Sequence, residues 1–280
     1  MTADEIVLYE VEGPLATVTM NRPRYRNAQN SAMTYALDRA FTTAVNDDDV
    51  KVIVLSGAGD HFSGGHDISS PEADHEVEYP RVASMWWSPV GKSGADSRYA
   101  REHEVYVDMC RRWRDLPKPT IAKVQGACLA GALALAWSCD LIVASEDAFF
   151  ADAGARFDNI GIEYFAHPWQ MRPRFAKEML FTARRVTAAE ALEWGMVNRV
   201  VPRQELDRAT EDLAGEIAQA SRLGLALTKR AINHAEDLMG LRSGIDTAFA
   251  LHQLGHAHAA EVGLALDPVA IKKSFAAKSG

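Results

Sequence analysis

The stretch that decides the fold reads VIVLSGAGDHFSGGHDI over residues 52–68. It begins with a short apolar, β-branched run from Val52 to Leu55, which is typical of a strand buried on both faces. The run then breaks into a loop that contains Gly57, Gly59, Gly64 and Gly65. A glycine-rich loop after a buried strand offers backbone N–H groups, which bind a phosphate or polarise a carbonyl oxygen in an oxyanion hole. The alternative is a tight connection in which the glycines serve geometry alone.

A second stretch has the same design and reads IAKVQGACLAGALALAWSCDLIVA over residues 121–144. A short apolar strand meets Gly126 and Gly131, an Ala/Leu-rich helix follows, and Asp140 opens another strand. We expect Gly131 at or near the helix N-terminus, where free N–H groups and the helix dipole favour negative charge. The two stretches together therefore suggest two N–H donors that point at one oxygen atom.

Both stretches resemble the crotonase family, the enoyl-CoA hydratase/isomerase superfamily. The resemblance runs in one register from about residue 5 to about residue 230. Its motifs are Asn21-Arg-Pro23 with Asn27-Ala28, Phe62-Ser-Gly-Gly-His-Asp-Ile68, Pro119-Thr-Ile-Ala-Lys-Val-Gln-Gly126 through Gly131, Cys139-Asp140, and Leu180 through Asn198 with Val200-Val-Pro202. The resemblance implies an α/β fold class, with a crotonase-like (ββα)-repeat core and a C-terminal helical region.

The implied organisation is a core over residues 1–205 and a helical trimerisation region over residues 206–280. Residues 206–262 have apolar faces with little sheet to cover, so we expect a homotrimer or a hexamer. Residues 69–104 contain three prolines, a Trp pair and no regular period, which predicts a variable, lid-like insertion in the core. Partial disorder is the alternative for this insertion, although the Trp pair favours some ordering.

Local patterns predict the main elements along the chain. Residues 6–20 alternate as in a hairpin, and the helix that follows at 31–45 has Asn30 or Ser31 as its N-cap. Strands and helices then alternate, which indicates crossovers between parallel strands. Further helices are predicted at residues 100–116, 173–183, 187–195, 206–220, 223–239 and 242–262.

Composition narrows the class of protein. The 280 residues are 48% hydrophobic and have a net charge of −8, which argues against a nucleic-acid or membrane-surface protein. No apolar run is long enough to span a bilayer. The three cysteines show no metal-binding spacing, and the chain has no signal-peptide pattern, so we expect a cytoplasmic protein.

The resemblance assigns an oxyanion hole. In the family a thioester carbonyl lies between two backbone N–H groups, which by motif match belong to His66 and Gly131. These groups stabilise the enolate-like oxyanion that forms when water adds to an enoyl thioester or a proton leaves the α-carbon. Only the backbone of His66 is implied, although its imidazole could also reach the pocket.

The resemblance also implies contacts to the CoA moiety, and these rest on side chains and loop backbone in three places. The resemblance places Arg24, in a basic loop, at the CoA moiety, and a solvated loop is the alternative for Arg24. Independently of the resemblance, the positive charge of the tail predicts that Lys273 meets the CoA phosphates. The remaining expected contacts come from Ser63, Gly65, Asp67 and Ile68. The acyl-CoA substrate is the only small molecule implied, with no separate cofactor.

The family's hydratases use two glutamates as acid and base, and both are missing here. Their positions are occupied by Ala134 and Gly154, neither of which can transfer a proton. Asp152 is the first substitute, and its alternative reading is a turn or capping residue. Glu163 is the second, in a segment with Tyr164 and His167, where a surface or subunit contact is the alternative.

Three functions follow from this pattern. The first is an acyl-CoA thioester enzyme of the enoyl-CoA hydratase/isomerase type that hydrates slowly unless Asp152 or Glu163 replaces the missing pair. Restoring glutamate at positions 134 and 154 is then expected to raise the rate, if the pocket tolerates the bulk. The alternatives are a CoA-thioester-binding protein with little catalysis, or a hydrolase or decarboxylase on the same oxyanion hole.

The C-terminal region also contains a His pair. His252 and His256 are spaced i, i+4, with His258 nearby, and two His one turn apart can bind a metal. No third ligand is recognisable beside them, so the sequence predicts a helix surface and no metal site.

Overall fold

A computed structural model describes residues 5–68, 70–72 and 77–262 of the chain. Within these residues the strands are β1 (Val7–Glu12), β2 (Leu15–Met20), β3 (Val52–Gly57), β4 (Thr120–Val124), β5 (Ala127–Leu129), β6 (Leu141–Ser145), β7 (Phe149–Ala151), β8 (Val186–Thr187) and β9 (Arg199–Val201). The α-helices are α1 (Ser31–Asn46), α2 (Gly94–Glu102), α3 (Met109–Arg114), α4 (Gly131–Trp137), α5 (His167–Gln170), α6 (Pro173–Thr182), α7 (Ala188–Glu193), α8 (Leu206–Ala218), α9 (Arg222–Leu238) and α10 (Leu241–Glu261). None of the helices in this part of the chain has the length and apolar character needed to cross a membrane.

Six strands form the main sheet in the order β1-β2-β3-β4-β6-β9. β1 and β2 make the expected antiparallel hairpin, in which Val7 lies opposite Met20. Every other neighbouring pair in this sheet is parallel, because helices such as α1 cross over between consecutive strands. A smaller sheet has the order β5-β7-β8. The predicted α/β fold class is confirmed.

β3 is buried along its whole length, as its continuous apolar run predicts. On one face Ile53 and Leu55 belong to the main core. On the other face Val52 and Val54 pack with residues of α8, including Leu206. The expectation that the C-terminal region has little sheet to cover is therefore wrong for α8, because this helix closes the second face of the sheet.

Helix starts that depend on local capping chemistry agree with the sequence. The side chain of Asn30 accepts a hydrogen bond from the backbone N–H of Met33 at the start of α1. Thr187 and Glu190 form a reciprocal capping box at the start of α7. Such contacts involve neighbours in the chain, so the sequence alone is enough to predict them.

Aromatic contacts hold the insertion together and join it to α10. Trp86 packs edge-on against Tyr99, and its indole Nε1 donates to His103 Nδ1 at 2.9 Å. The helix of this segment begins at Gly94 rather than at Ala100, and α2 continues through a π-helical turn at His103–Asp108 into α3. The early start escaped prediction because the first turns of α2 are mainly exposed and polar. A tertiary contact instead supports them, since the Tyr99 ring lies 5.1 Å from the Phe249 ring of α10.

Candidate active site

The two glycine-rich loops meet, as the sequence predicts. Ser63 and Cys128 form an isolated parallel β-bridge. The Ser63 N–H donates to the Ala127 carbonyl at 3.0 Å. Gly65 has φ +91°, and a Cβ atom built there would lie 2.6 Å from the Leu129 carbonyl oxygen. Only glycine allows this backbone conformation and this close approach together. The glycines therefore bring the loop after β3 against the start of α4.

The His66 ring lies directly on Gly131. A Cβ atom built on Gly131 would be 2.2 Å from Nε2 and Cδ2 of His66, so a side chain at position 131 would displace the imidazole. Gly131 is the first residue of α4, where backbone N–H groups have no partner earlier in the helix. The preceding residue, Ala130, has φ +46°, which is strained for a residue with a Cβ atom. The structure thus brings together the two residues predicted to form the oxyanion hole.

Two loop residues expected to contact CoA, Ser63 and Asp67, have side chains that bind other groups of the protein instead. Ser63 is fully buried, and its hydroxyl donates to the Asn27 carbonyl and accepts from the Gly65 N–H. Asp67 is 3% exposed and lies 2.9 Å from the Arg22 guanidinium in a buried ion pair. These contacts fix the shape of the loop, so neither side chain is presented to a ligand in this conformation.

Other expected contact residues remain accessible. Ile68 is 39% exposed. Arg24 is exposed, with its guanidinium 5.6 Å from the Tyr25 ring centroid. Lys273, and with it the rest of the basic tail, lies outside the described residues. Among the expected contact residues that the structure describes, Ile68 and Arg24 therefore have accessible side chains.

The two positions that the resemblance assigns to the acid and the base, 134 and 154, hold no carboxyl group. Ala134 lies on α4 and is 3% exposed. Gly154 packs against the backbone at the far end of its own loop, where a Cβ atom would lie 2.2 Å from the Gly161 nitrogen. Neither position offers a proton-transfer group, and position 154 has no room for one.

Asp152 holds this loop closed. Its Oδ1 accepts from the Gly154 N–H at 3.0 Å, and its Oδ2 accepts from the Ile162 N–H at 3.0 Å. His167 Nε2 lies 3.2 Å from Oδ2, and both side chains are almost fully buried. Burial alone would raise the pKa of Asp152, but the contacts with His167 and the two backbone N–H groups hold it below its usual value. The geometry matches the turn-forming interpretation of Asp152.

The Glu163 carboxyl faces His66, in the first of the two glycine-rich loops. We call these two loops, the one after β3 and the one before α4, the oxyanion loops after the role that the resemblance assigns to them. Its Oε1 lies 3.7 Å from His66 Nδ1, and its side chain is 6% exposed. The His66 ring stacks on Tyr106 with centroids 3.7 Å apart, which fixes the orientation of the imidazole. Burial raises the pKa of Glu163 well above its usual value, and the nearby Glu102 adds to this effect. The alternative of an exposed surface contact for Glu163 does not fit this burial.

A second group of polar side chains adjoins Glu163 and was not recognised in the sequence. His252 Nε2 lies 3.4 Å from Glu163 Oε1, and His252 is 4% exposed, so the predicted helix surface is wrong at this position. Glu102, at the end of α2, lies 3.5 Å from His256. The i, i+4 spacing of the His pair was the available signal, but its partners lie far away in the chain.

Comparisons with known proteins identify the family. The family model described as enoyl-CoA hydratase/isomerase matches residues 10–87 and 90–264. A Mycobacterium tuberculosis protein, provisionally named enoyl-CoA hydratase EchA13, is 41% identical over 92% of this chain and 83% of its own length. A short-chain-enoyl-CoA hydratase of Clostridium acetobutylicum is 32% identical over 87% of this chain and 85% of its own length.

A solved structure supports the same assignment at the level of the fold. A probable enoyl-CoA hydratase from Mycobacterium smegmatis superposes with a TM-score of 0.83 at 43% identity, covering 92% of this chain and 96% of its own. Both the sequence matches and the superposition extend across the core and the C-terminal helices. The chain therefore belongs to the enoyl-CoA hydratase/isomerase family, the crotonase family.

Proposed function

We propose that this enoyl-CoA hydratase/isomerase-type enzyme acts on an acyl-CoA thioester with the backbone N–H groups of His66 and Gly131 as its oxyanion hole and Glu163 as its proton-transfer group. The observation that carries the proposal is the position of the Glu163 carboxyl, 3.7 Å from His66 Nδ1 and directly beside the two oxyanion loops. Family membership supports the acyl-CoA substrate, since the relatives are named as enoyl-CoA hydratases.

The chemistry requires two kinds of group. When water adds to the β-carbon of an enoyl thioester, negative charge develops on the thioester oxygen. Two N–H donors can stabilise this charge, and loss of one such donor typically costs about 3–4 kcal/mol. A carboxyl must also move the proton between water and the α-carbon, and general acid–base help is commonly worth about 10²–10⁴-fold.

Glu163 fits the second role better than Asp152. Both oxygens of Asp152 accept hydrogen bonds from backbone N–H groups that close its loop. Glu163 instead directs Oε1 towards the imidazoles of His66 and His252. Since the His66 ring lies between Glu163 and Gly131, the imidazole provides a route for a proton between the carboxyl and the oxyanion site.

The binding of CoA is proposed at the accessible side of the first loop. Ile68 is exposed there, and the exposed guanidinium of Arg24 offers a positive charge for a phosphate. Lys273 remains part of this proposal because the basic tail offers positive charge for the CoA phosphates.

A protein that binds enoyl-CoA and hydrates it slowly is the second candidate. The vacancy of both usual carboxylate positions, Ala134 and Gly154, favours it. In this case the oxyanion loops would still bind the thioester, because they act through their backbone. The two candidates differ in whether Glu163 sustains turnover.

The test compares the wild-type protein with Glu163→Gln, which removes the proton but keeps the size of the side chain. Hydration of a panel of enoyl-CoA thioesters is followed together with their binding affinity. We expect Glu163→Gln to lower kcat by about 10²–10⁴-fold with little change in affinity. Glu193→Gln, an exposed glutamate on α7, is the matched control and should keep the wild-type rate.

Two results would contradict the proposal. Equal hydration rates for Glu163→Gln and the wild type would remove Glu163 from the reaction. Binding without turnover in the wild type, on every thioester of the panel, would establish the second candidate instead. A wild-type turnover of about 10 s⁻¹ or more would contradict the expectation of slow hydration.

A further inference from the structure

Two histidines and a glutamate converge outside the oxyanion loops. Glu102 comes from the end of α2, and His252 and His256 come from successive turns of α10. One ligand atom from each lies within 4.8 Å of the others, with Nε2 to Nε2 at 3.0 Å and His256 Nε2 to Glu102 Oε1 at 3.5 Å. Tetrahedral zinc with bonds of about 2.0–2.1 Å places its ligand atoms about 3.3 Å apart. The spacing of these atoms therefore suits a bound cation.

The surrounding contacts already orient two of the three ligands. His252 Nδ1 lies 2.9 Å from the Gly161 carbonyl oxygen, which can only accept, so Nδ1 carries the proton and Nε2 carries the lone pair. Gln253 Nε2 donates to Glu102 Oε2 at 2.6 Å, which leaves Oε1 directed at His256. Contacts of this kind are what fixes the tautomer and the ring orientation of metal ligands.

Hydrogen bonding within the protein explains the cluster less well. The single lone pair of His252 Nε2 faces both Asn159 Nδ2 at 3.1 Å and His256 Nε2 at 3.0 Å. Two donors would thus compete for one acceptor, whereas a cation would occupy the lone pairs of both imidazoles. Arg98 and Arg101, on α2, are cationic side chains near Glu102.

The buried carboxyls near the cluster also favour a bound cation. His252 is 4% exposed, and its Nε2 lies 3.0 Å from His256 Nε2. The carboxyls of Glu102 and Glu163 are 11% and 6% exposed beside it. Burial makes these carboxyls costly to ionise, and a bound cation beside them would offset that cost.

We propose that Glu102, His252 and His256 bind a divalent transition metal ion of the zinc type. Two imidazoles and one carboxylate select such an ion over Mg²⁺ or Ca²⁺, which prefer oxygen ligands alone. The bound ion would fasten α2 of the insertion to α10 of the C-terminal region. It would also lie beside Glu163, whose Oε1 is 3.4 Å from His252 Nε2.

The test is metal binding by the untagged, full-length protein after treatment with a chelator. Co²⁺ is titrated first, because its visible spectrum reports coordination by nitrogen and oxygen ligands, and Zn²⁺ is then added as competitor. We expect one Co²⁺ per chain, displaced by Zn²⁺. His256→Asn and Glu102→Gln should each weaken binding at least tenfold.

The chain offers a matched control on the same helix. His258 is 54% exposed and lies 3.7 Å from Asp158, away from the cluster, so His258→Asn should bind Co²⁺ like the wild type. Absence of saturable binding at one ion per chain would overturn the proposal. So would equal weakening by His256→Asn and His258→Asn, which would indicate adventitious surface histidines. The readout needs no turnover, so it stands apart from the test of Glu163.

Discussion

At the scale of single residues, Asp152 shows how the contacts of a carboxylate decide between a catalytic and a structural role. The sequence places it two residues from a vacant catalytic position, which made it the first substitute. In the structure its two oxygens accept the N–H groups of Gly154 and Ile162, and His167 lies 3.2 Å away. A carboxylate that accepts a backbone N–H on each oxygen stabilises a loop and is poorly placed to shuttle protons.

We therefore expect Asp152→Asn to destabilise the protein at neutral pH by about 1–3 kcal/mol, because the amide group would face a backbone donor with a donor. The pKa of Asp152 is lowered in the folded state, so its contribution exists above the unfolded-state pKa and is lost as pH falls through the folded-state value. The difference in unfolding free energy between variant and wild type should shrink below about pH 4.

Denaturant unfolding at pH 7 and at acidic pH measures this difference. Asp158→Asn is the control, since Asp158 lies in the same loop, is exposed, and has φ +53°, which asparagine tolerates. A stable Asp152→Asn protein without hydratase activity would restore the catalytic interpretation of Asp152.

At the scale of elements, the loop from Asp152 to Ile162 explains why a simple restoration of the family's glutamates should fail. The resemblance predicts a higher rate after Ala134→Glu and Gly154→Glu, provided that the pocket tolerates them. The structure shows that the condition is not met at position 154, where even a Cβ atom would lie 2.2 Å from the Gly161 nitrogen. The obstacle is backbone, which cannot move aside as a flexible side chain can.

We expect Gly154→Ala alone to lower stability by about 1–3 kcal/mol or more, as overpacking generally does, and Gly154→Glu to add no hydratase activity. Thermal unfolding and the hydration assay measure the two effects. Gly215→Ala in α8 is the matched control, because nothing lies within 4 Å of a Cβ atom there. That change should be neutral or slightly stabilising in a helix. A stable Gly154→Glu protein with a raised rate would show that the loop can open.

At the scale of the whole molecule, the C-terminal helices divide into two kinds. α8 covers the sheet, whereas α9 has one residue, Lys229, among its buried positions. Large apolar side chains of α9 and α10 remain exposed, including Leu223 at 68%, Leu238 at 76% and Leu254 at 65%. An apolar surface of this kind commonly marks a protein–protein interface.

We expect these helices to join copies of the chain into a trimer or a pair of trimers. Light scattering after size exclusion should give three or six times the 30.7 kDa chain mass. A charge on α9, as in Leu227→Glu, should shift the mass towards one chain, whereas Leu192→Glu on α7 should leave the assembly intact. A wild-type protein that sediments only as a monomer would defeat this expectation.

The sequence by itself determined the strand–loop–helix framework. It also determined that the two glycine-rich loops, after β3 and before α4, lie in contact. Those features depend on local patterns: the apolar run of β3, glycines where the backbone must turn, and capping residues such as Asn30 and Thr187. They also coincide with motifs of the family, which is why the proximity of His66 and Gly131 could be expected in advance.

Only the tertiary structure decided which carboxyl faces the site and what surrounds it. Glu163, Glu102 and His252 are distant in the chain, and no local periodicity relates α2 to α10. The same holds for the role of Asp152 and the lack of space at Gly154, which depend on contacts across a closed loop. Local sequence encodes backbone conformation and burial. Proton transfer and metal binding depend instead on distances of a few ångströms between segments that are far apart in the chain, and only the folded structure sets these distances.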